Sequence, residues 1–393
     1  MGIFRFLKKE KAGGEPETAT ETKQTDIGPA PEPEEAGEID LSRISWPERP
    51  SINPLKVSNQ QTGDVGELPE SAVIEDDRRD EVGTMLFSGK LNPDTLRFLS
   101  LQELLLAMTV LEAWQGQDLL PQPEEQKRKL FNEVINRIRD AKQMFVLYDL
   151  ATGYPFIESG SALLYLEQEK AAYAVKLYGT QNRMLAIRQV TGEGGEEAEG
   201  GSRTFFDYLY FLGIGYCILD NGLYRVRFAR TQIVAEPGDW GEQKGRLPDN
   251  GPAVYAMLEF LQELRWRVGY AQRAEVLKAK EERMIQLLKQ ARFIVPTKPE
   301  GPTEVLDNGL IRVDDRTRVQ FPMMQGPNGE QFQPVFTDGI EFAKRFAGGG
   351  WLGGVYTMEG LSKIATDKTG IIVNPDGERL LLNMEHLRPE EKG

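Results

Sequence analysis

The sequence predicts an α/β (α+β) protein of two tandem modules with mixed sheets, joined by a long helix and preceded by a disordered tail. Three observations carry that expectation. From residue 93 onward, apolar runs of strand length alternate with stretches of helical periodicity. The same succession of apolar helix, apolar strand and glycine-bearing turn occurs twice, in the same order. Residues 12–80, by contrast, carry 17 acidic and 6 basic side chains and are rich in Glu, Pro, Thr, Gly and Gln. Such a segment buries too little apolar surface to offset its ordering entropy.

The elements follow in order. Residues 1–11 form a short basic amphipathic head, with Ile3, Phe4, Phe6 and Leu7 beside Arg5, Lys8 and Lys9. It suits contact with a membrane surface or a partner, but is too short for a stable free helix. Phe6 stands where the myristoylation pattern needs Ser or Thr. Residues 12–90 are read as a disordered acidic linker. A helical hairpin and a first module then occupy 94–236. Leu96, Leu99, Leu104, Met108 and Leu111 fall near helical spacing, with Asp94 as the expected N-cap. Leu130, Val134, Ile138 and Ala141 mark a second helix from about Glu124.

Met144–Tyr148 reads as a buried strand, Ser161–Glu169 as a helix, and Ala172–Leu177 and Met184–Val190 as strands. A helix from about Thr204 and strands at Gly215–Leu219 and Tyr224–Ala229 close the module, the last two joined by the Asp220-Asn221-Gly222 turn. An uninterrupted helix is expected over 253–292, roughly 60 Å at 1.5 Å per residue. The second module occupies 293–388.

The internal match is explicit. Gly370-Ile371-Ile372-Val373-Asn374-Pro375-Asp376-Gly377 aligns under Gly215-Tyr216-Cys217-Ile218-Leu219-Asp220-Asn221-Gly222 at an offset of 155. Upstream, Pro334-Val335-Phe336-Thr337-Asp338-Gly339 aligns under Pro155-Phe156-Ile157-Glu158-Ser159-Gly160 at an offset of 179, with Asp338 and Ser159 as suitable N-caps. Met284, Ile285, Leu288 and Ala291 match Val134, Ile135, Ile138 and Ala141.

The second copy resembles the N-terminal domain of the bacterial SseB family over roughly 284–388. The likeness is carried by Ala291-Arg292-Phe293-Ile294-Val295-Pro296, Phe332–Asp338, Met358–Ile364 and Gly370–Pro375. In the first copy, Leu219-Asp220 replaces Asn374-Pro375 and Glu158 replaces Thr337, so that copy is diverged. The resemblance implies a fold and a bacterial origin, not a reaction.

Composition narrows the function. The 393 residues are 40% hydrophobic and hold one cysteine, Cys217, and one histidine, His386. No internal disulfide is possible, which suits a cytoplasmic setting. Two such ligands fall short of a zinc site. No apolar run reaches the ~18 residues of a membrane span. The net charge of −14 is concentrated in the tail, and no basic stripe marks a nucleic-acid partner. Gly348–Gly353 satisfies G-x-G-x-x-G, but an expected helix precedes it and a strand follows, the reverse of a dinucleotide site. Cys217 lies inside an apolar strand, the setting of an inert thiol. No cofactor is expected.

The expected function is that of a non-enzymatic bacterial protein-interaction or regulatory protein of the cytoplasm. Its candidate partner-binding residues are Phe336, Thr337, Asp338 and Gly339, the loop residues Trp351 and Tyr356, and Arg225 and Arg227, which share a strand face. Two alternatives stay open. One is a small-molecule sensor, for instance of an amino acid, or an enzyme with a cleft between the modules. The other is a peripheral membrane adaptor tethered by residues 1–9.

Overall fold

The computed structural model describes residues 46–47, 56–58, 60–61, 65–89, 91–114, 120–191, 204–235, 248–301, 303–305, 311–313, 318–326, 328–348, 350–365 and 368–383. The amphipathic head, most of the acidic segment, the 192–203 loop, Gly349 and His386 lie outside them.

The described chain begins by wrapping the first module. Helix α1 (Asp76–Phe87) buries Val82, Leu86 and Phe87 in the main core cluster, and Trp46 packs on its Gly83. The expectation of a disordered linker through residue 90 therefore fails over 65–89. Composition averaged over 12–80 hides a local supply of apolar anchors at Leu68, Ala72 and Ile74, which Val82 and Leu86 continue just beyond it.

The predicted helix from 94 is two helices, α2 (Pro93–Phe98) and α3 (Leu101–Ala113). Asn92, not Asp94, caps the first, accepting a bond from the Thr95 amide. Ser100 and Glu103 form a capping box that restarts the chain as α3. Residues 102–111 of α3 are all buried, so it is a central helix with no solvent face. Helix α4 (Pro123–Asp140) packs against it through Leu130, Val134, Ile135 and Ile138.

The first sheet holds β1 (Met144–Asp149), β2 (Ile157–Glu158), β3 (Ser161–Tyr165), β4 (Leu185–Val190), β5 (Tyr216–Asp220) and β6 (Arg225–Ala229). Its order is β4-β1-β3-β5-β6, with β2 on β3. Pair β3/β5 is parallel and the others are antiparallel. Helices α5 (Gln168–Thr180) and α6 (Phe205–Phe211) cover opposite faces. Two expectations are exchanged here. Ser161–Tyr165 is a strand, fully buried between two neighbours, and 168–180 is a helix with Ala171, Ala174 and Tyr178 on one face. Short continuous apolar runs do not reveal their period.

The long helix is also broken. Helices α7 (Gly251–Arg265) and α8 (Arg273–Gln290) form an antiparallel hairpin instead of a 60 Å rod. Glu259 meets Arg283 at 3.1 Å and Glu263 meets Lys280 at 3.0 Å across it. The chain leaves the helix at Trp266, whose indole donates to the Gln181 carbonyl at 2.9 Å and packs with Val57 and Val268. The tertiary site for that indole outweighs helical continuation.

The second module starts with β7 (Arg292–Glu300) and the short strands β8 (Thr303–Val305), β9 (Ile311–Val313), β10 (Arg318–Gln320) and β11 (Met324–Gln325). It continues through β12 (Gln331–Val335), α9 (Gly339–Phe346), β13 (Leu352–Thr357), α10 (Met358–Ile364), β14 (Gly370–Val373) and β15 (Leu380–Asn383). Strands β13 and β7 are antiparallel, the bridge Ile294↔Phe336 joins β7 to the end of β12, β12/β14 is parallel, and β14/β15 is antiparallel.

The strand succession β13-β7-β12-β14-β15 has the same order and senses as β4-β1-β3-β5-β6. The registers align too. Phe145↔Tyr165 stands where Ile294↔Phe336 stands, and Leu164↔Leu219 where Val335↔Val373 stands. Leu164 and Leu219 face α4 and α6, as Val335 and Val373 face α8 and α10. Asp220 and Asn374, one residue past Leu219 and Val373, thus occupy matching places, at an offset of 154. A one-residue slip would exchange the sheet faces. The 179 match does not hold: 155–160 holds the short strand β2 and its turn into β3, whereas 334–339 ends a central strand and opens α9. The places matching Thr337 and Asp338 are Leu166 and Glu167, the latter the N-cap of α5.

Candidate functional site

The carboxyl ends of a parallel strand pair are where α/β sheets form ligand crevices. In the second module that edge is a buried polar cluster. Strand β12 leads into Thr337 and Asp338, and β14 into Asn374. Asn374 adopts a left-handed backbone, φ 47°, a conformation that asparagine tolerates better than most residues. Its amide oxygen accepts from the Thr337 backbone N–H at 3.0 Å. Its amide nitrogen donates to Thr337 Oγ1 at 2.8 Å and to Glu378 Oε2 at 2.9 Å. Thr337 Oγ1 donates to Asp338 Oδ2 at 2.9 Å. Asp338 Oδ1 caps α9 by accepting from the Ile340 and Glu341 amides at 2.8 and 3.0 Å.

A residue of the first module completes the cluster. Tyr154, in the turn after β1, donates its hydroxyl to Glu341 Oε1 at 2.9 Å. Lys344 Nζ donates to the same oxygen at 2.6 Å and to the Tyr154 hydroxyl at 3.2 Å. A methyl group on Gly377 would lie 2.3 Å from that hydroxyl, so only glycine admits Tyr154 here. Arg265 of α7 bridges the modules, donating to the Ala151 and Glu378 carbonyls at 2.8 Å each. Asn250 ties the start of α7 to the Thr337 and Arg292 carbonyls.

Three buried carboxyls face one ammonium group. Burial raises the pKa of Glu378 to about 7, helped by the charge of Glu341. Burial also raises Glu341, against the pull of Lys344, and raises Asp338 against its backbone donors. Glu341 Oε2 and Glu378 Oε1 are buried without a hydrogen-bond partner among the described residues. Burial thus works against the charge of all three carboxyls, and the arrangement grips an aromatic hydroxyl. No group of three His, Cys, Asp or Glu among the described residues is placed to hold a metal ion.

The first module has a polar cluster at the matching edge. Asp220 Oδ1 accepts from the Gly222 amide at 2.6 Å, and burial raises the acid to about 7 against the pull of Arg225. Arg225 Nη1 donates to Glu158 at 3.2 Å and lies 3.8 Å from Asp220. The mouth is covered by the N-terminal segment. A methyl on Gly222 would lie 2.8 Å from Leu68 Cδ1 and 3.9 Å from Tyr173. Ser71 donates to Glu169 at the start of α5, and Gln102 donates to the Ser71 carbonyl.

The structure brings together Thr337 and Asp338 but buries both, with Phe336 beneath them among Phe342 and Phe346. Phe336 and Thr337 are fully covered and serve the fold from within. Gly339 is the first residue of α9. Trp351 packs edge-on against Phe346 and Tyr356 against Phe321, both half-buried and apart from the cluster. Arg225 and Arg227 do share a face, on which Arg225 is partly covered and Arg227 is exposed. Arg225 is only 19% exposed in its pair with Glu158, and Arg227 donates to Ser161 Oγ at 3.0 Å beneath the Tyr216 ring. Cys217 is fully buried, and burial pushes its thiol up to about 12. Glu341, Lys344, Glu378, Tyr154 and Leu68 were not singled out by the sequence. Besides Thr337 and Asp338, Asn374 carried a signal, as part of a turn.

A groove of about 630 Å³ between α2 and α4 is lined by charged side chains, among them Arg137 and Glu133 paired at 2.7 Å.

Residues 271–388 match the family model described as the SseB protein N-terminal domain. That span runs from the foot of α8 to the end of the described chain and includes Thr337, Asp338, Glu341, Asn374 and Glu378, but neither Tyr154 nor Leu68. No curated protein and no solved structure matches the chain.

Proposed function

We propose that this chain is a non-enzymatic protein-interaction or regulatory protein of the bacterial cytoplasm, built from two tandem copies of an SseB-like module. The duplication is supported by the shared strand order, senses and register of the two sheets. The cytoplasmic placement is supported by the single, fully buried cysteine. No described helix is long and apolar enough to cross a membrane.

One observation carries the interaction reading. The edge where α/β sheets bind small ligands is filled in the second module by a tyrosine from the first, held at 2.9 Å by Glu341. What this edge receives is a protein side chain. The same feature weighs against a small-molecule cleft between the modules, because Tyr154 and Arg265 already span the junction.

Affinity capture with the full chain from a bacterial lysate, paired with a thermal-shift screen of metabolites, tests the proposal. It expects specific proteins and a flat screen. A metabolite that raises Tm by several degrees, with no specific protein recovered, would replace this reading with a sensor, since a ligand of the folded state stabilises it by mass action.

A further inference from the structure

Two distant segments of the chain enter the corresponding groove of the two modules. In the first module the groove lies between α5 and the β5–β6 turn, where Leu68 lies directly over Gly222 and Tyr173 of α5 stands beside it. In the second it lies between α9 and the β14–β15 turn, and Tyr154 fills it against Gly377, Glu341 and Lys344. The turn glycines lie two residues after Asp220 and three after Asn374, one position apart in the shared register of the two turns. Each takes the inserted side chain so closely that a methyl group would collide with it.

The two occupants are anchored differently. Tyr154 sits in a turn of the sheet, with Asp149 N–H bonded to its carbonyl at 2.9 Å. Leu68 sits in an extended strap, 65–72, whose only regular structure is the single 3-10 turn Glu70–Ala72. The strap pairs with no strand, Leu68 and Pro69 are half-buried, and Gly66, Glu67, Glu70 and Ser71 are exposed. Its side-chain ties include those of Ser71 to Glu169 and Gln102 to the Ser71 carbonyl. Ala72 at its end is fully buried, but over 66–71 only Leu68 and Pro69 are even half-buried, and so exposed a stretch opens locally at low cost.

We propose that the α5 groove of the first module is a peptide-binding surface, and that the strap is its displaceable internal ligand. The external partner it fits is an extended segment of like chemistry. That segment has a leucine anchor for the seat beside Gly222 and Tyr173, and carboxylates flanking it as Glu67 and Glu70 flank Leu68. Charge supports this choice, because Lys176 of α5 lies along the strap, its ammonium 3.9 Å from where a methyl on Gly66 would be. The proposal rests on the interaction reading above and gives it a site.

A fluorescent peptide copying residues 65–72 tests it by anisotropy on the full chain. The tethered strap competes at a high effective concentration, so weakening it in Leu68→Ser should tighten peptide binding at least about tenfold. A peptide with serine in place of its leucine should not bind. Equal affinity for wild type and Leu68→Ser, or no binding to either, would overturn the proposal. Excess unlabelled peptide should also speed amide exchange in the strap of the wild-type chain, a readout independent of how the variant folds, and unchanged exchange would overturn it equally. If lysate partners are captured equally by wild type and Leu68→Ser while the peptide fails, the interaction reading stands and this groove is not its site.

Discussion

The two modules solve one problem with different chemistry. Each must close the carboxyl end of its parallel strand pair, where backbone and side-chain polar groups converge. The second closes it with hydrogen bonds: Asn374 links Thr337 to Glu378, and Tyr154 reaches Glu341 from outside the module. The first closes it with charge and an apolar cover: Asp220 and Glu158 share Arg225, and Leu68 lies over Gly222. The two edges thus share strand order and register and differ in the side chains that close them.

The largest expected effects fall on the ring shared by both sheets. Phe336 and Tyr165 occupy matching positions and are fully buried. Truncating a core aromatic ring to alanine removes about 3–5 kcal/mol. Phe336→Ala and Tyr165→Ala should both lose that much by urea unfolding, and a loss under about 1 kcal/mol at either would break the correspondence.

A smaller effect separates the two edges by pH. Asp220 is raised to about 7, above its unfolded value of 3.8. The folded state therefore binds more protons between those values. The contribution of Asp220 to stability is fully present below about pH 4 and is lost as pH rises towards 7. Asp220→Asn installs the residue found at the matching position of the second module. Relative to wild type it should gain stability with rising pH, by on the order of 1–3 kcal/mol at pH 8. A difference that does not change between pH 4 and 8 would show that the buried acid is not held protonated.

Smaller still is the contrast between two hydroxyls. Tyr154→Phe breaks the bond to Glu341, which should cost about 1–2 kcal/mol. The Tyr165 hydroxyl is buried without a partner, so Tyr165→Phe should be neutral or slightly stabilising. Equal costs in chemical unfolding would remove the distinction.

The strands β1, β5, β6 and β14 were legible because apolar runs end at glycine turns. The Asp338 cap was legible because an acid stands just before an apolar helix. Strand β3 and helix α5 were exchanged because Ser161–Tyr165 and Ala171–Val175 are both short apolar runs, and burial on two faces decided between them. The break at Trp266 depends on Gln181 and Val57, far away in sequence. The site itself was least legible. Tyr154 and Glu341 are 187 residues apart, and no local pattern announces their bond. Arg225 and Arg227 have correct spacing for one face, but their partners, Glu158 of β2 and Ser161 of β3, stand 67 and 66 residues away in sequence.

The central claim is that corresponding grooves of two modules each receive one side chain from elsewhere in the chain. Hydrogen exchange with peptide-level readout on Leu68→Ala and Tyr154→Ala tests it directly. The account predicts that Leu68→Ala loosens α5 and the 220–224 turn alone, and that Tyr154→Ala loosens α9 and the 374–379 turn alone. Loosening of the same region by both variants, or of neither turn, would contradict it.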